Sequence, residues 1–259
     1  MTGPRLAKPA AAHGARAMIL AAGRGERMRP LTDHCPKPLL AVRGKPLMQY
    51  HLEALLRSGF AEVVVNTAWL GQHIEDHFGL QPLWNGRNTL SNSEQHEKRS
   101  QLVYSHEGRD FGAALETAGG IARALPLLAD VFWLVAGDVH APAFEFSRAA
   151  MDRFAAGAML AHIYLVPNPP HNLKGDFGLG PDGIALNDAG PGGRHTYSTI
   201  GLYRKAFFDS LPDGNPQGLK APLAPLLRAA IDRGQVDAEL YGGAWTDVGT
   251  PGRLAQLNA

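Results

Sequence analysis

Cysteine is almost absent from this chain: Cys35 is the only one in 259 residues. A lone thiol excludes an internal disulfide and a cysteine-built zinc site, and it suits a reducing compartment. Long apolar runs are missing as well. No window reaches the roughly 20 apolar residues of a membrane span. Residues 1–16, MTGPRLAKPAAAHGAR, hold basic residues without the apolar stretch of a signal peptide. They read as a disordered leader, and the protein as cytoplasmic with no membrane partner. Net charge is also scarce: 25 Lys and Arg against 24 Asp and Glu leave +1. No broad basic field therefore recruits nucleic acid. The tryptophans Trp69, Trp84, Trp133 and Trp245 are scattered, so no stacking platform interleaves with basic residues. There is no internal repeat.

Two glycine motifs are missing too. No G-x-x-x-x-G-K-[ST] run exists, which removes the P-loop ATPase and GTPase readings. Gly23 and Gly25 begin a G-x-G-x-x-G, but the third position is Met28. The missing glycine is the one that allows close helix–strand packing in dinucleotide folds, which counts against NAD.

What is present is ordinary globular composition, 45% hydrophobic, with 30 Gly and 19 Pro for turns. Residues 17–22 read as a buried strand, 46–58 as a helix and 61–66 as a strand. A helix over 68–78, a strand over 102–105, a helix over 115–128 and a strand over 131–138 continue the alternation. Strands at 159–166 and 197–204 and a helix at 221–234 follow, with a Pro-, Gly- and Asn-rich stretch at 167–195 between the two strands. This order predicts an α/β fold, a Rossmann-like αβα sandwich around a mostly parallel, mixed sheet. One domain spans 17–259, with a surface loop inserted at 81–101.

The chemistry concentrates in LAAGRGERMRPLTDHCPKP, residues 20–38. A strand end, two glycines that expose backbone amides, and the cations Arg27, Arg29 and Lys37 make an anion site of the kind phosphate prefers. Asp138 ends a buried strand, where open α/β sheets bind ligands, and Asp247 precedes a glycine turn. Two carboxylates can hold Mg²⁺ through hard oxygen ligands, and either can equally cap a turn. His73 and His77 lie four apart, but Glu75 is misplaced for a metalloprotease motif, so they read as a solvated helix face. Cys35 lacks a His–Asn partner pattern and reads as packing.

The chain resembles the sugar-phosphate nucleotidyltransferases. Leu20-Ala21-Ala22-Gly23, Gly25, Arg27, Pro30, Thr32 and Pro36-Lys37-Pro38 match that family's signature, and Gly137-Asp138 and the WTDVGT run at 245–250 match its other landmarks. VVVNTAWLGQHIEDHFG, LETAGGI and KGDFGL are similar to a short bacterial branch that makes UDP-N-acetylmuramate during peptidoglycan recycling. The resemblance implies transfer of a uridylyl group from UTP to a sugar 1-phosphate, N-acetylmuramate 1-phosphate, with Mg²⁺ as cofactor, and a domain that is nucleotide-binding in its first half and sugar-binding in its second. It implies that Leu20, Ala21, Ala22, Gly23 and Gly25 wrap the nucleotide, that Arg27 binds the β and γ phosphates, and that Lys37 lies between the α-phosphate and the sugar phosphate. Glu116, Gly119 and Gly120 would line the base and ribose side, Asp138 and Asp247 would ligate Mg²⁺, and Asp176, Tyr197 and Ser198 would face the sugar. The chain departs from the branch at Ala136 in place of Asn, Ala118 in place of Gly, and Thr199 in place of Gly. Alternatives are guanylyl or thymidylyl transfer to another hexose 1-phosphate, or a silent regulatory subunit. A monomer or small homo-oligomer is expected.

Overall fold

The structure is a computed structural model that describes residues 15–81 and 101–259. Most of the leader expected over 1–16 and of the loop expected over 81–101 lies outside those residues. Ala15 and Arg16 belong instead to the first strand, β1 (Ala15–Leu20).

β1 pairs in parallel with β2 (Glu62–Thr67) on one edge. Beyond β2 lies β3 (Gln101–His106), also parallel. On its other edge β1 pairs in parallel with β4 (Leu128–Ala136). Three strands precede the next long one: β5 (Ala161–Val166), β6 (Phe177–Leu179) and β7 (Ala185–Leu186). β8 (Arg194–Arg204) then runs antiparallel to β4 and β5 and, at its start, to β6. β9 (Val236–Leu240) pairs in parallel with β5 and completes a nine-stranded mixed sheet. The hairpin of β6 and β7 falls in the stretch that composition marks only as turn-rich. Its strands are three and two residues long, too short for a two-residue period to show.

The sheet is covered on both faces, which is why its strands read as apolar runs instead of alternating. The pleat nonetheless sorts neighbours. Met18, Val64 and Leu134 pack with Ala118 and Ile121 of α3 (Glu116–Ala124) and Leu227 and Ile231 of α5 (Leu223–Asp232). Ala17, Ile19, Val63 and Val135 pack with Met48 and Leu52 of α1 (Leu47–Arg57), Ile74 of α2 (Gly71–Phe78) and Met151 of α4 (Arg148–Ala156). Each fully buried leucine, such as Leu52, contributes about 1.5–3 kcal/mol by leaving water. A third cluster joins Met28, Val42, Leu47 and Val248 to Leu254 and Leu257 of α6 (Pro251–Asn258). Among the described residues no helix is long and apolar enough to cross a membrane.

Helix ends explain the differences from the expected bounds. α2 starts at Gly71, three residues later than the pattern suggests, because Leu70 sits in the left-handed region at φ 50°. α3 stops at Ala124, and Leu125–Leu127 tightens into a 3-10 turn around Pro126. Pro225 is tolerated because it falls in the first turn of α5, where its missing N–H would have had no helical partner.

Candidate active site

The signature loop leaves β1 at Leu20 and is tied down at once. The Ala21 N–H donates to Asn66 Oδ1 at 2.8 Å, in the interior. Gly25 takes φ +67°, and a Cβ there would stand 3.0 Å from Thr32 Cγ2, so the turn needs glycine twice over. Thr32 Oγ1 donates back to the Gly25 carbonyl at 2.8 Å. The Arg24 guanidinium lies 3.6 Å over the Trp69 ring, and both side chains donate to the Thr32 carbonyl. The loop is therefore clamped before any ligand arrives.

Lys37 opens a 3-10 turn over Lys37–Leu39, and only 8% of it is exposed. Its ammonium lies 2.5 Å from Asp138 Oδ2. Asp138 follows Gly137, whose N–H donates to the Leu20 carbonyl at 2.8 Å. That bond holds the acid turn against the end of β1. Behind it, His51 is fully buried and its Nε2–H donates to the Val139 carbonyl at 2.9 Å. Burial pulls the His51 pKa down to about 4, so the ring is neutral at pH 7.

Thr246–Asp247 pairs antiparallel with Val139–His140, and the Val248 N–H donates to the Asp138 carbonyl at 3.0 Å. Of the two acids expected to act together, Asp247 thus stands on one strand of a two-residue ribbon and Asp138 in the turn that leads into the other. Asp247 is flanked by Arg253, 2.9 Å from its Oδ1, and by His171, 3.1 Å from its Oδ2. Asp247 Oδ1 is buried and receives no aligned hydrogen bond from the described residues.

A cavity of about 630 Å³ opens at this end of the sheet. Leu20, Ala21, Ala22, Gly23, Lys37 and Asp138 form one part of its wall, and Glu116 and Thr117 another. Asp176, Phe177, Tyr197 and Thr199 line a third part, and Pro222, Leu223, Ala224, Leu227 and Arg228 a fourth. Gly25, Arg27 and Asp247 are not among the lining residues, and Arg27 is exposed on the loop.

Several expected residues take other places. Gly119 and Gly120 were expected to let a nucleotide approach α3, yet neither lines the cavity. A Cβ on Gly119 would strike the Leu219 carbonyl, and one on Gly120 would strike Glu107 Oε1 and come 2.9 Å from Asn66 Nδ2. These glycines serve the approach of protein to protein. Ser198 is fully buried; its Oγ accepts from the Ile200 N–H and its carbonyl accepts from Trp245 Nε1. It too is off the wall. Tyr197 does line the cavity, but its hydroxyl is turned to Tyr203, 2.8 Å away, and burial pushes its pKa well up. Asp176 lines the cavity while its carboxylate accepts from the Tyr197 N–H at 2.8 Å and from Asn172 Nδ2 at 3.2 Å.

Two residues that sequence reasoning missed organise the site. Glu107 is fully buried; its Oε1 accepts from Asn66 Nδ2 at 2.6 Å and its Oε2 from the Leu115 N–H at 2.7 Å. Burial raises its pKa, while these two bonds favour the carboxylate. Asn66 in turn holds Ala21, so a buried chain of hydrogen bonds joins the start of α3 to the signature loop. The signal for Asn66 was present: a polar residue closing an apolar strand, as Asp138 does. Glu107 had none, because its partners lie 41 and 8 positions away in other elements.

The family model described as Nucleotidyl transferase matches residues 16–179. The chain is 43% identical to the N-acetylmuramate alpha-1-phosphate uridylyltransferase of Neisseria meningitidis serogroup B, over 94% of this chain and 97% of that one. It is 30% identical to the protein of the same name from Caulobacter vibrioides, over 91% and 92%. It is 28% identical to the UTP–glucose-1-phosphate uridylyltransferase of Synechocystis, over 90% of this chain and 60% of that one. Among solved structures, a Bacillus anthracis protein described as a glucose-1-phosphate thymidylyltransferase superposes with a TM-score of 0.72. It is 17% identical, covers 94% of this chain and 93% of its own, and shares the fold.

Proposed function

Given that the chain belongs to the nucleotidyl transferase family, we propose that it transfers a uridylyl group from UTP to N-acetylmuramate 1-phosphate, releasing pyrophosphate. The likeness to two enzymes of that name over nearly their whole lengths carries the choice of substrates. The cavity between Lys37, Asp138 and the signature loop supports the choice of chemistry. The UDP-sugar product would serve peptidoglycan recycling in the cytoplasm.

In this reading an oxygen of the sugar phosphate attacks the α-phosphorus of UTP. A P–O bond forms there, the α–β P–O bond breaks, and pyrophosphate leaves on the opposite side. The attacking oxygen is already anionic, so the protein needs no side-chain nucleophile. Its task is alignment and charge neutralisation. The signature loop offers backbone amides to the phosphates, and exposed Arg27 can meet the β and γ phosphates from outside the wall. The Lys37 ammonium exchanges Asp138 for the α-phosphate and the sugar phosphate, and its near-burial strengthens that contact. Asp138 and Asp247 are the carboxylates that would hold Mg²⁺: both offer hard oxygens, the Val248 N–H bond to the Asp138 carbonyl brings their backbones together, and the buried Asp247 Oδ1, ion-paired with Arg253 but without an aligned hydrogen bond, would exchange that contact for the ion. Among the described residues no group of three His, Cys, Asp or Glu could hold a metal, which suits an ion completed by phosphate and water. When bound, Mg²⁺ would supply neutralisation of phosphate charge. Asp176 and Tyr197 would bound the sugar side, and Glu116 and Thr117 the nucleoside side.

Pyrophosphate release across UTP, dTTP, CTP, ATP and GTP, each with N-acetylmuramate, N-acetylglucosamine, glucose and mannose 1-phosphates, tests the assignment. The highest kcat/KM is expected for UTP with N-acetylmuramate 1-phosphate. A preference for GTP or dTTP would overturn it, and no turnover with any pair would favour a silent subunit.

A further inference from the structure

The cavity wall carries two cations, and they are differently employed. Lys37 is nearly buried and paired with Asp138. Arg228 is exposed, and among the described residues no carboxylate pairs with it. Its Nη1 has a neutral acceptor, Asn187 Oδ1, at a long 3.3 Å, and its Cζ stands 5.0 Å from the Phe177 ring. A guanidinium resting on an aromatic face keeps its N–H edge free for an incoming planar anion.

Its place defines which anion that is. Arg228 lies one helical turn beyond Ala224 on α5, and both line the cavity. Phe177, its platform, follows Asp176, so Arg228 belongs to the wall assigned to the sugar. The phosphates are accounted for elsewhere, by the signature loop and Lys37. The acid nearest in sequence to that platform, Asp176, already accepts two hydrogen bonds and does not neutralise Arg228. An uncharged hexose would leave this cation without a counterpart. N-acetylmuramate differs from N-acetylglucosamine by a lactyl ether that ends in a carboxylate. We infer that Arg228 recognises the lactyl carboxylate of the sugar substrate and so selects an acidic amino sugar over a neutral one. The inference rests on the substrate reading above and adds a specificity-determining residue to it.

The test crosses two enzyme forms with two substrates. Wild type and Arg228→Gln are assayed with N-acetylmuramate 1-phosphate and with its lactyl amide, which keeps the shape and removes the charge. For the acid, KM should rise by about 30-fold or more in Arg228→Gln. With the amide the two enzymes should differ little, the KM for UTP should stay put, and Arg228→Lys should recover part of the loss. Equal loss on acid and amide, or an unchanged KM for the acid, overturns the role of Arg228 and leaves the reaction assignment standing. A wild type that ignores N-acetylmuramate 1-phosphate while turning over a neutral sugar phosphate overturns both.

Discussion

At Lys37 one ammonium answers to two demands. Without substrate it neutralises Asp138 at 2.5 Å; in the proposed reaction it would turn to the reacting phosphates. Lys37→Met keeps the aliphatic stem and removes the charge. It should lower kcat by about 100-fold or more and leave the circular dichroism spectrum unchanged; near-wild-type kcat would remove Lys37 from the chemistry. Asp247→Asn makes a separate prediction. It leaves Arg253 and His171 without their anion, so apo stability should change little or fall slightly, while the Mg²⁺ concentration for half-maximal rate should rise by about tenfold or more. Titration of activity against Mg²⁺, paired with melts in chelator, separates the two effects. Residues of this kind were legible in the sequence because each closes a strand or sits in a spaced motif. Glu107 was not, since nothing local distinguishes a buried glutamate from a solvated one. Arg228 was not either, because a basic residue on an amphipathic helix has solvent as its ordinary destination.

Elements were legible where they are long and covered. β1, β2, β4 and α1 follow from apolar runs and helical spacing, and their ends shift by one to three residues where a turn intervenes. The β6–β7 hairpin and the extension of β8 to Arg194 were hidden among Gly, Pro and Asn, since their pairing is tertiary. α3 carries an oddity, a pair of glycines, whose packing reason only the fold shows. Two glycines in a helix cost about 1 kcal/mol each relative to alanine, and the family resemblance supplies a ligand as the reason to keep them. The structure gives another: the Ala118 and Gly119 N–H groups both donate to the Ala221 carbonyl, and Gly120 faces the Glu107 carboxylate. Gly120→Ala should therefore destabilise despite its better helix propensity, by about 1–3 kcal/mol. It should also raise the KM for UTP, because displacing Glu107 releases Asn66 from the signature loop. Urea unfolding and nucleotide kinetics check both; a stabilised variant would show that the Glu107 network yields freely.

At the scale of the whole molecule, stability and site are coupled through His51. Its folded pKa is about 4, against about 6.5 for an exposed histidine. Burial is the main cause; the bond to Val139 and the charge of Asp138 oppose it, and His140 adds to it. Between those values the unfolded chain binds the extra proton, so the contribution is complete above about pH 6.5 and declines as pH falls toward 4. Its full size is on the order of 3 kcal/mol. The urea midpoint should drop between pH 7.5 and 5, and His51→Gln should flatten that drop while lowering the midpoint at pH 7.5. An equal pH slope in both proteins would assign the acid sensitivity to other groups. The ribbon that carries Asp247 also sets how that corner of the molecule opens. Thr246–Asp247 and α6 lie outside the nine-stranded sheet, held by the pairing with Val139–His140 and by the packing of Leu254 and Leu257 on Met28 and Val42. They can therefore detach without undoing any strand of the sheet, so the Val248 amide should exchange with solvent faster than the amides of β1 and β4.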